Sequence, residues 1–293
     1  MEKVVSFGEI LFDVYPDKEL PGGAPFNFIC HVRQLTGQGA FLSRIGIDDR
    51  GDSIVRMLAG KKVGTTFVQR DPAHPTGAAF VRLDEMGIPS FTIAEEAAYD
   101  FIEAEPGALS LVSSCSMLYY GTLAQRSPVS RRSLAGFCDA APRCFCDVNL
   151  RQNFYTEDIL RQSLEQADFL KLNEEELNII ASLFFPDAFT REEKVRRLMD
   201  IFSISFAAVT MGSDGSEMYS SGIKDICRTT VQHIADTVGA GDGFAAMMCA
   251  GILAGWELKK IHRAASEFSA ALCCIEGALP EEEQFYSKFS SLF

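Results

Sequence analysis

Apolar positions follow two rhythms along this chain. In short runs almost every residue is apolar, and in longer stretches apolar residues recur every three or four positions. The first rhythm predicts strands buried on both faces, the second helices with one buried side. Strands are expected at 4–7, 40–46, 116–120, 144–148, 169–172 and 207–210. Helices are expected at 26–35, 49–59, 129–138, 156–166, 174–183, 194–201, 241–254 and 258–275. Gly37 and Gly39 close the first helix. Gly212-Ser213-Asp214-Gly215 reads as a hairpin turn into a strand at 217–219, and Glu281-Glu282-Glu283 as the solvated start of a last helix. Strands alternating with helices imply an α/β fold with a mostly parallel sheet covered on both faces. Ligands on such sheets bind at the carboxyl ends of the strands.

The alternation is broken near the N-terminus. A short segment at 10–15 precedes a turn around Pro16 and Asp17 and a loop, Pro21-Gly22-Gly23-Ala24-Pro25. Residues 66–69, 77–83 and 90–93 read as short strands with no long helix between them, the last two joined by the turn signal Asp84-Glu85-Met86-Gly87. These pieces are expected to form a small β lid, built from about 10–20 and 65–95, on one α/β domain spanning 1–293. No repeat, low-complexity tract or linker divides the chain.

Composition narrows the function classes. The 293 residues are 47% apolar and 23% charged, which excludes a mainly disordered or collagen-like chain. Net charge is −13, and no cluster of Lys or Arg exceeds a pair (61–62, 131–132, 196–197, 259–260). A face that grips nucleic acid or an anionic membrane must be basic, so neither partner is expected. A small anion held by backbone amides stays compatible with this charge. The N-terminus reaches Glu9 before any export-type apolar region forms, and the longest uncharged apolar stretch, 243–256, is shorter than the ~18 residues of a spanning helix. The nine cysteines contain no CxxC, and the histidines are scattered at 31, 74, 233 and 262, so reduced thiols in a cytoplasmic protein are expected rather than structural zinc.

The stretch richest in chemistry is Asp236-Thr237-Val238-Gly239-Ala240-Gly241-Asp242-Gly243, directly before an apolar helix. Small residues let backbone approach a ligand, and first-turn N–H groups with the helix dipole make an anion site. Asp242 should repel that anion. The conflict resolves if it takes a proton from an attacking hydroxyl while the amides stabilise the transferring group. The plainer alternative is an ordinary helix start with Asp242 as a favourable first-turn acid. A dinucleotide fingerprint through Gly239, Gly241 and Ala245 fits poorly. That motif belongs in a first βαβ unit with an acid about 20 residues on, whereas here Lys259-Lys260 and a helix follow.

Residues 236–243 resemble the second signature of the PfkB (ribokinase-like) family of sugar and nucleoside kinases, and Gly22-Gly23-Ala24-Pro25-Phe26-Asn27 resembles the first. Further landmarks follow in family order: Gly46-Ile47-Asp48-Asp49-Arg50-Gly51, Asp147-Val148-Asn149-Leu150-Arg151, Asn173-Glu174-Glu175-Glu176, and Val209-Thr210-Met211-Gly212-Ser213-Asp214-Gly215. Gly8-Glu9-Ile10-Leu11-Phe12-Asp13 brings the chain nearest the fructokinase branch. The resemblance implies a ribokinase-like three-layer sandwich and transfer of the ATP γ-phosphoryl to a sugar hydroxyl. Phosphoryl transfer needs mainly positioning and charge stabilisation, with Mg²⁺ on the nucleotide. No Walker lysine motif is present.

The resemblance also assigns residues. Asp242 becomes the base, and the amides of Gly239, Ala240, Gly241 and Asp242 the anion hole. Asp13, Gly22, Gly23, Asn27 and Arg151 fall at sugar-binding positions, although a turn acid, a loop, a helix cap and a surface arginine are the plainer readings. Asn173, Thr210, Gly212 and Gly215 fall at ATP positions, and Glu176 at a position acting on Mg²⁺ through water. Asn173 with Glu176 also reads as a capping box. Asp236 is the candidate for a monovalent cation such as K⁺. The family's basic residue before the late Gly-Ala is absent, because Cys274-Ile275-Glu276-Gly277-Ala278 stands there. The adenine pocket is expected around 264–277, and a homodimer through the lid is implied. Another sugar, a sugar acid such as 2-keto-3-deoxygluconate, a nucleoside, or non-catalytic sugar binding are the competing readings.

Overall fold

The computed structural model describes residues 3–83, 89–185, 190–229, 231 and 233–293. In chain order its elements are β1 (Val4–Phe7), β2 (Leu11–Val14), β3 (Glu19–Gly22), α1 (Ala24–Thr36), β4 (Ala40–Gly46), α2 (Asp49–Gly60), β5 (Val68–Asp71), β6 (Gly77–Leu83), β7 (Pro89–Ile93), α3 (Pro106–Ser113), β8 (Met117–Tyr120), α4 (Pro128–Ala140), β9 (Cys144–Asp147), α5 (Glu157–Glu165), β10 (Phe169–Asn173), α6 (Glu174–Phe184), α7 (Arg191–Phe202), β11 (Phe206–Thr210), β12 (Ser216–Ser220), β13 (Ile223–Cys227), α8 (Ala240–Leu253), α9 (Leu258–Leu272) and α10 (Glu283–Ser290). Short polar side chains start several helices as expected. Asp48, Thr156 and Thr190 each accept a first-turn N–H, and Gly37 ends α1 in the left-handed region.

A nine-stranded sheet runs β13-β12-β11-β10-β9-β8-β1-β4-β5, parallel except for β12 and β13. The chain leaves β1 toward β4 and β5, then returns to β8 on β1's other side. The strand order therefore reverses at β1, where α/β sheets open a ligand crevice at the carboxyl ends. One core packs α3 to α7 on one face, and the other packs α1, α2 and α8 to α10 on the opposite face. Strand parity decides the side. Leu118 and Tyr120 of β8 enter the first core, and Met117 and Tyr119 the second.

A four-stranded sheet, ordered β3-β2-β6-β7, stands apart from the large one. The expected β excursion is therefore real, with one correction. The sequence pattern places 66–69 in it, but the strand there is β5, which pairs parallel with β4 at the edge of the large sheet. Its Asp71 is almost fully buried against Arg44 of β4, 2.7 Å away, which ties β5 to the main body. Strand β3, whose Glu19 and Leu20 fall within the expected 10–20 segment, completes the small sheet. It contains Pro21, which is tolerated there because β3 is an edge strand. The turn signal at 84–87 lies outside the described residues. Helix α3 and strand β13 were not anticipated. The first is only eight residues long, and the second is an edge strand with Ile223 and Ile226 exposed, so neither carries a clean burial rhythm.

No helix of the described residues is long and apolar enough to cross a membrane. The C-terminal helix α10 docks through an aromatic cluster in which Phe268 of α9, fully buried, meets Phe285, Tyr286 and Phe289 at ring separations of 5.9, 6.1 and 4.9 Å. Phe268→Ala should lower unfolding free energy by about 3–5 kcal/mol, the usual cost of removing a buried phenylalanine. Urea denaturation checks it, and a midpoint unchanged from wild type would mean that α10 does not depend on this contact.

Candidate active site

Helix α8 enters from a loop whose last residue, Gly239, has φ 77°. A Cβ there would also lie 2.7 Å from the Cα of Ala278, so only glycine fits. In the turn that follows, Ala240 N–H donates to Thr237 O and Gly243 N–H to Gly239 O. The N–H groups of Gly241 and Asp242 have no hydrogen-bond partner among the described residues. They form a vacant donor pair at the positive end of a 14-residue helix, which suits an anion.

Asp242 points back toward α1, where Asn27 Nδ2 donates to its Oδ2 at 2.8 Å. Asn27 is buried and its Oδ1 lacks a partner, so it keeps an acceptor free toward a ligand hydroxyl. Removal from water pushes Asp242 up to about 6, and the Asp147 carboxylate adds to this. The Asn27 donor, Lys171 and Arg151 pull the other way. Asp242 is therefore a carboxylate poised to gain and lose a proton near neutrality, as a general base requires.

Asp13 lies on the face of β2 that it shares with Leu11, and its register partner on β6, Ala79, is buried in the same core. A Cβ on Gly22 would stand 3.2 Å from Asp13 Oδ2, so this glycine leaves the carboxylate uncovered. Gly23 has φ 114° and presses on the Glu9 carbonyl. Burial raises the pKa of Asp13, and the exposed Arg151 opposes it. Arg151 is thus an exposed cation within electrostatic reach of Asp13, Glu9 and Asp242.

On the neighbouring strand ends the capping box is realised. Glu176 N–H donates to Asn173 Oδ1 at 2.8 Å, and Glu176 Oε2 accepts from Asn173 N–H at 2.7 Å. Glu176 Oε1 also accepts from Leu150 N–H at 2.9 Å, joining the β9 and β10 loops. Asn173, Thr210 and Gly212 line one open cleft of about 670 Å³ with Glu174, Asn178 and Met211. Gly215 does not line it. At φ 96°, with Cys227 O only 2.2 Å from any Cβ, Gly215 closes the hairpin. Asp236 ties its own loop to the chain's end, accepting from Val238 N–H at 3.0 Å and Gly277 N–H at 3.1 Å. Among the described residues no three His, Cys, Asp or Glu side chains are grouped to hold a metal ion.

Three polar residues of this region were not singled out as site residues from the sequence. Lys171, in the centre of β10, is 7% exposed and bonds Asp147 Oδ1 and Oδ2 at 3.0 and 3.2 Å. Asp147 is fully buried and also accepts from Tyr119 OH at 3.1 Å. Glu9 is 2% exposed, its Oε2 has no partner, and burial pushes it up to about 7. The available signals were a lysine inside an apolar strand and an acid directly after a glycine.

A mostly parallel sheet clad by helices, a small second sheet, and a carboxylate beside vacant helix-start amides define a ribokinase-like sugar kinase. The chain belongs to the pfkB family of carbohydrate kinases, whose model matches residues 1–284. It is 28% identical over 298 residues to a fructokinase of Klebsiella pneumoniae, covering 94% of this chain and 92% of that protein. Its fold is shared with an uncharacterized sugar kinase of Pyrococcus horikoshii (TM-score 0.82, 24% identity, 94% of this chain and 93% of that one). The same holds for a fructokinase of Xylella fastidiosa with bound ATP (TM-score 0.84, 20% identity, 100% and 98%).

The carboxyl of Asp242 should titrate with a midpoint near pH 6 in the ligand-free protein, followed by ¹³C NMR. Asn27→Leu, which removes the donor that favours the charged form, should move that midpoint upward. An unmoved midpoint would show that Asn27 does not govern the acid.

Proposed function

We propose that this kinase transfers the γ-phosphoryl group of ATP to a hydroxyl of fructose, giving fructose 6-phosphate. The observation that carries the reading is Asp242. It is a base with a raised pKa, held by Asn27, one residue from amides that lack partners. In this reading Asp13, Asn27, Gly22, Gly23 and Arg151 hold the sugar. Asp242 accepts the proton of the attacking hydroxyl. The amides of Gly239, Gly241 and Asp242 stabilise charge on the phosphoryl group as it moves, joined by that of Ala240 once it leaves Thr237 O. Asn173, Thr210 and Gly212 hold the nucleotide, and Gly215 acts on it only by closing the hairpin that carries Gly212. The similarity to fructokinases favours fructose.

Bound Mg²⁺ would neutralise the phosphate charge on the nucleotide. Glu176 fits a role toward it through water, because each of its oxygens accepts one amide and retains a lone pair. Asp236 is our assignment for K⁺, on the same ground. We assign the small sheet as a lid over the sugar and as the contact of a homodimer. Leu20 and Phe80 on β3 and β6 are exposed there, and light scattering checks the dimer.

A coupled ATP/ADP assay across a sugar panel tests the substrate. Fructose should be turned over best, and turnover of another sugar alone would overturn the substrate while leaving the reaction. Stabilisation by sugar and nucleotide without turnover would make the chain a binder. Asp242→Asn should lower kcat by at least ~10²-fold. Because the base must be ionised, kcat/KM should fall as pH drops through about 6 and level off above it.

A further inference from the structure

Lys171 is an expensive residue for its place. Its neighbours on β10, Phe169, Leu170 and Leu172, are all buried, and an apolar side chain there would pack without desolvating a charge. A buried ion pair is seldom more stable than an apolar pair of similar volume, so stability alone does not account for Lys171 with Asp147. The ammonium has three donors. Among the described residues its hydrogen bonds go only to the two oxygens of Asp147, which leaves one N–H uncommitted.

The position of that ammonium is informative. Asp147 and Lys171 are direct register partners on β9 and β10. Strand parity puts them on the face of Phe145 and Phe169, the face packed by α1 and α8. Lys171 Nζ stands 3.0 Å from where a Cβ on Gly241 would be, directly beneath the first turn of α8. The Gly241 amide is one of the two without a partner. Lys171 is also surrounded by carboxylates. Burial lowers its pKa, but Asp147, Glu176 and Asp242 outweigh this and the net shift is upward, so it is charged at neutral pH.

We propose that Lys171 is a catalytic cation of this kinase, its free N–H contacting the transferring phosphoryl group from below while the α8 amides contact it from above, with Asp147 as the positioning residue. The assignment rests on the kinase reading of the site. Without this ammonium the phosphoryl would enter a field set by Asp147, Glu176 and Asp242. A fixed charge there requires no reorganisation as negative charge develops, which is where such groups contribute most.

K171M and the double variant D147N/K171M test it, assayed on whichever sugar the wild type phosphorylates. The double variant leaves no orphaned buried carboxylate, so it separates folding from chemistry. Both should lose at least ~10²-fold in kcat, the usual effect of removing one preorganised donor. Affinity for Mg·AMP-PNP by calorimetry should fall by less than about tenfold, since the contact strengthens in the transition state. Ligand-free K171M gives a readout independent of turnover. The Asp242 carboxyl faces Asp147, Lys171, Arg151, Glu9 and Tyr119, and loss of one of its cations should raise its ¹³C titration midpoint. A folded double variant with kcat within about threefold of wild type overturns the role of Lys171, as does an unmoved Asp242 midpoint in K171M. A wild type that phosphorylates no sugar overturns the kinase reading together with it.

Discussion

The site depends on how far the start of α8 is pressed into the molecule. Gly239 lies against Ala278, Gly241 over Lys171, and Gly243 so close to α9 that a Cβ would meet Leu272 Cδ1 at 2.1 Å. A side chain at Gly239 would meet backbone and push the helix start off Ala278, and one at Gly241 or Gly243 would have to displace Lys171 or Leu272. Lifting the helix would carry Asp242 away from Asn27 and the vacant amides away from the crevice beside β1. Apolar packing supplies the force that holds it down, since Phe244 to Ala250 of α8 are all buried between α1 and α9. The small residues set the distance, and the oily remainder of the helix keeps it.

Strand parity does the second part of the work. The face carrying α3 to α7 is lined by Leu118, Tyr120, Cys144, Cys146, Leu170 and Leu172, with no charged side chain among them. The opposite face receives the alternate residues, Tyr119, Asp147 and Lys171, at its carboxyl edge beneath α8. A one-residue slip of β9 or β10 would turn Asp147 or Lys171 into the apolar layer, where it would have no partner. The polar cluster therefore fixes register as well as charge.

Most of the scaffold was legible because its strands and helices carry strong rhythms, and caps such as Asp48 and Thr156 announce the boundaries. The elements that escaped were those whose burial is set by neighbours. Edge strands β3 and β13 alternate weakly, and β5 pairs with the large sheet through Arg44 and Asp71, a contact between residues 27 apart. At the site, Asp242, Asn27 and the glycines beside them stand in local motifs that a sequence displays, and the fold brings Asn27 against Asp242. Lys171 could not be found in that way. In sequence it interrupts an apolar run, and its meaning comes from Asp147 on the next strand and Gly241 on a helix seventy residues later. Asp236, by contrast, is placed chiefly by backbone amides, one of them at Gly277, that no side-chain pattern displays.

The net charge of −13 bears on the surface and hardly on the site. Around the vacant amides the balance is local: buried carboxylates on Asp147 and Glu176, the half-buried one of Asp242, one buried ammonium, one exposed guanidinium, and the partial charge of a helix end. Such a set is costly in the ligand-free protein, and the cost appears as raised pKa values on Asp242, Glu176 and Glu9. Burial first, and the neighbouring acids after it, raise the Asp242 carboxyl to about 6, above the ordinary carboxylate range. The electrostatic strain and the chemistry proposed for the site are therefore the same property, imposed by packing a helix start onto the ends of three strands.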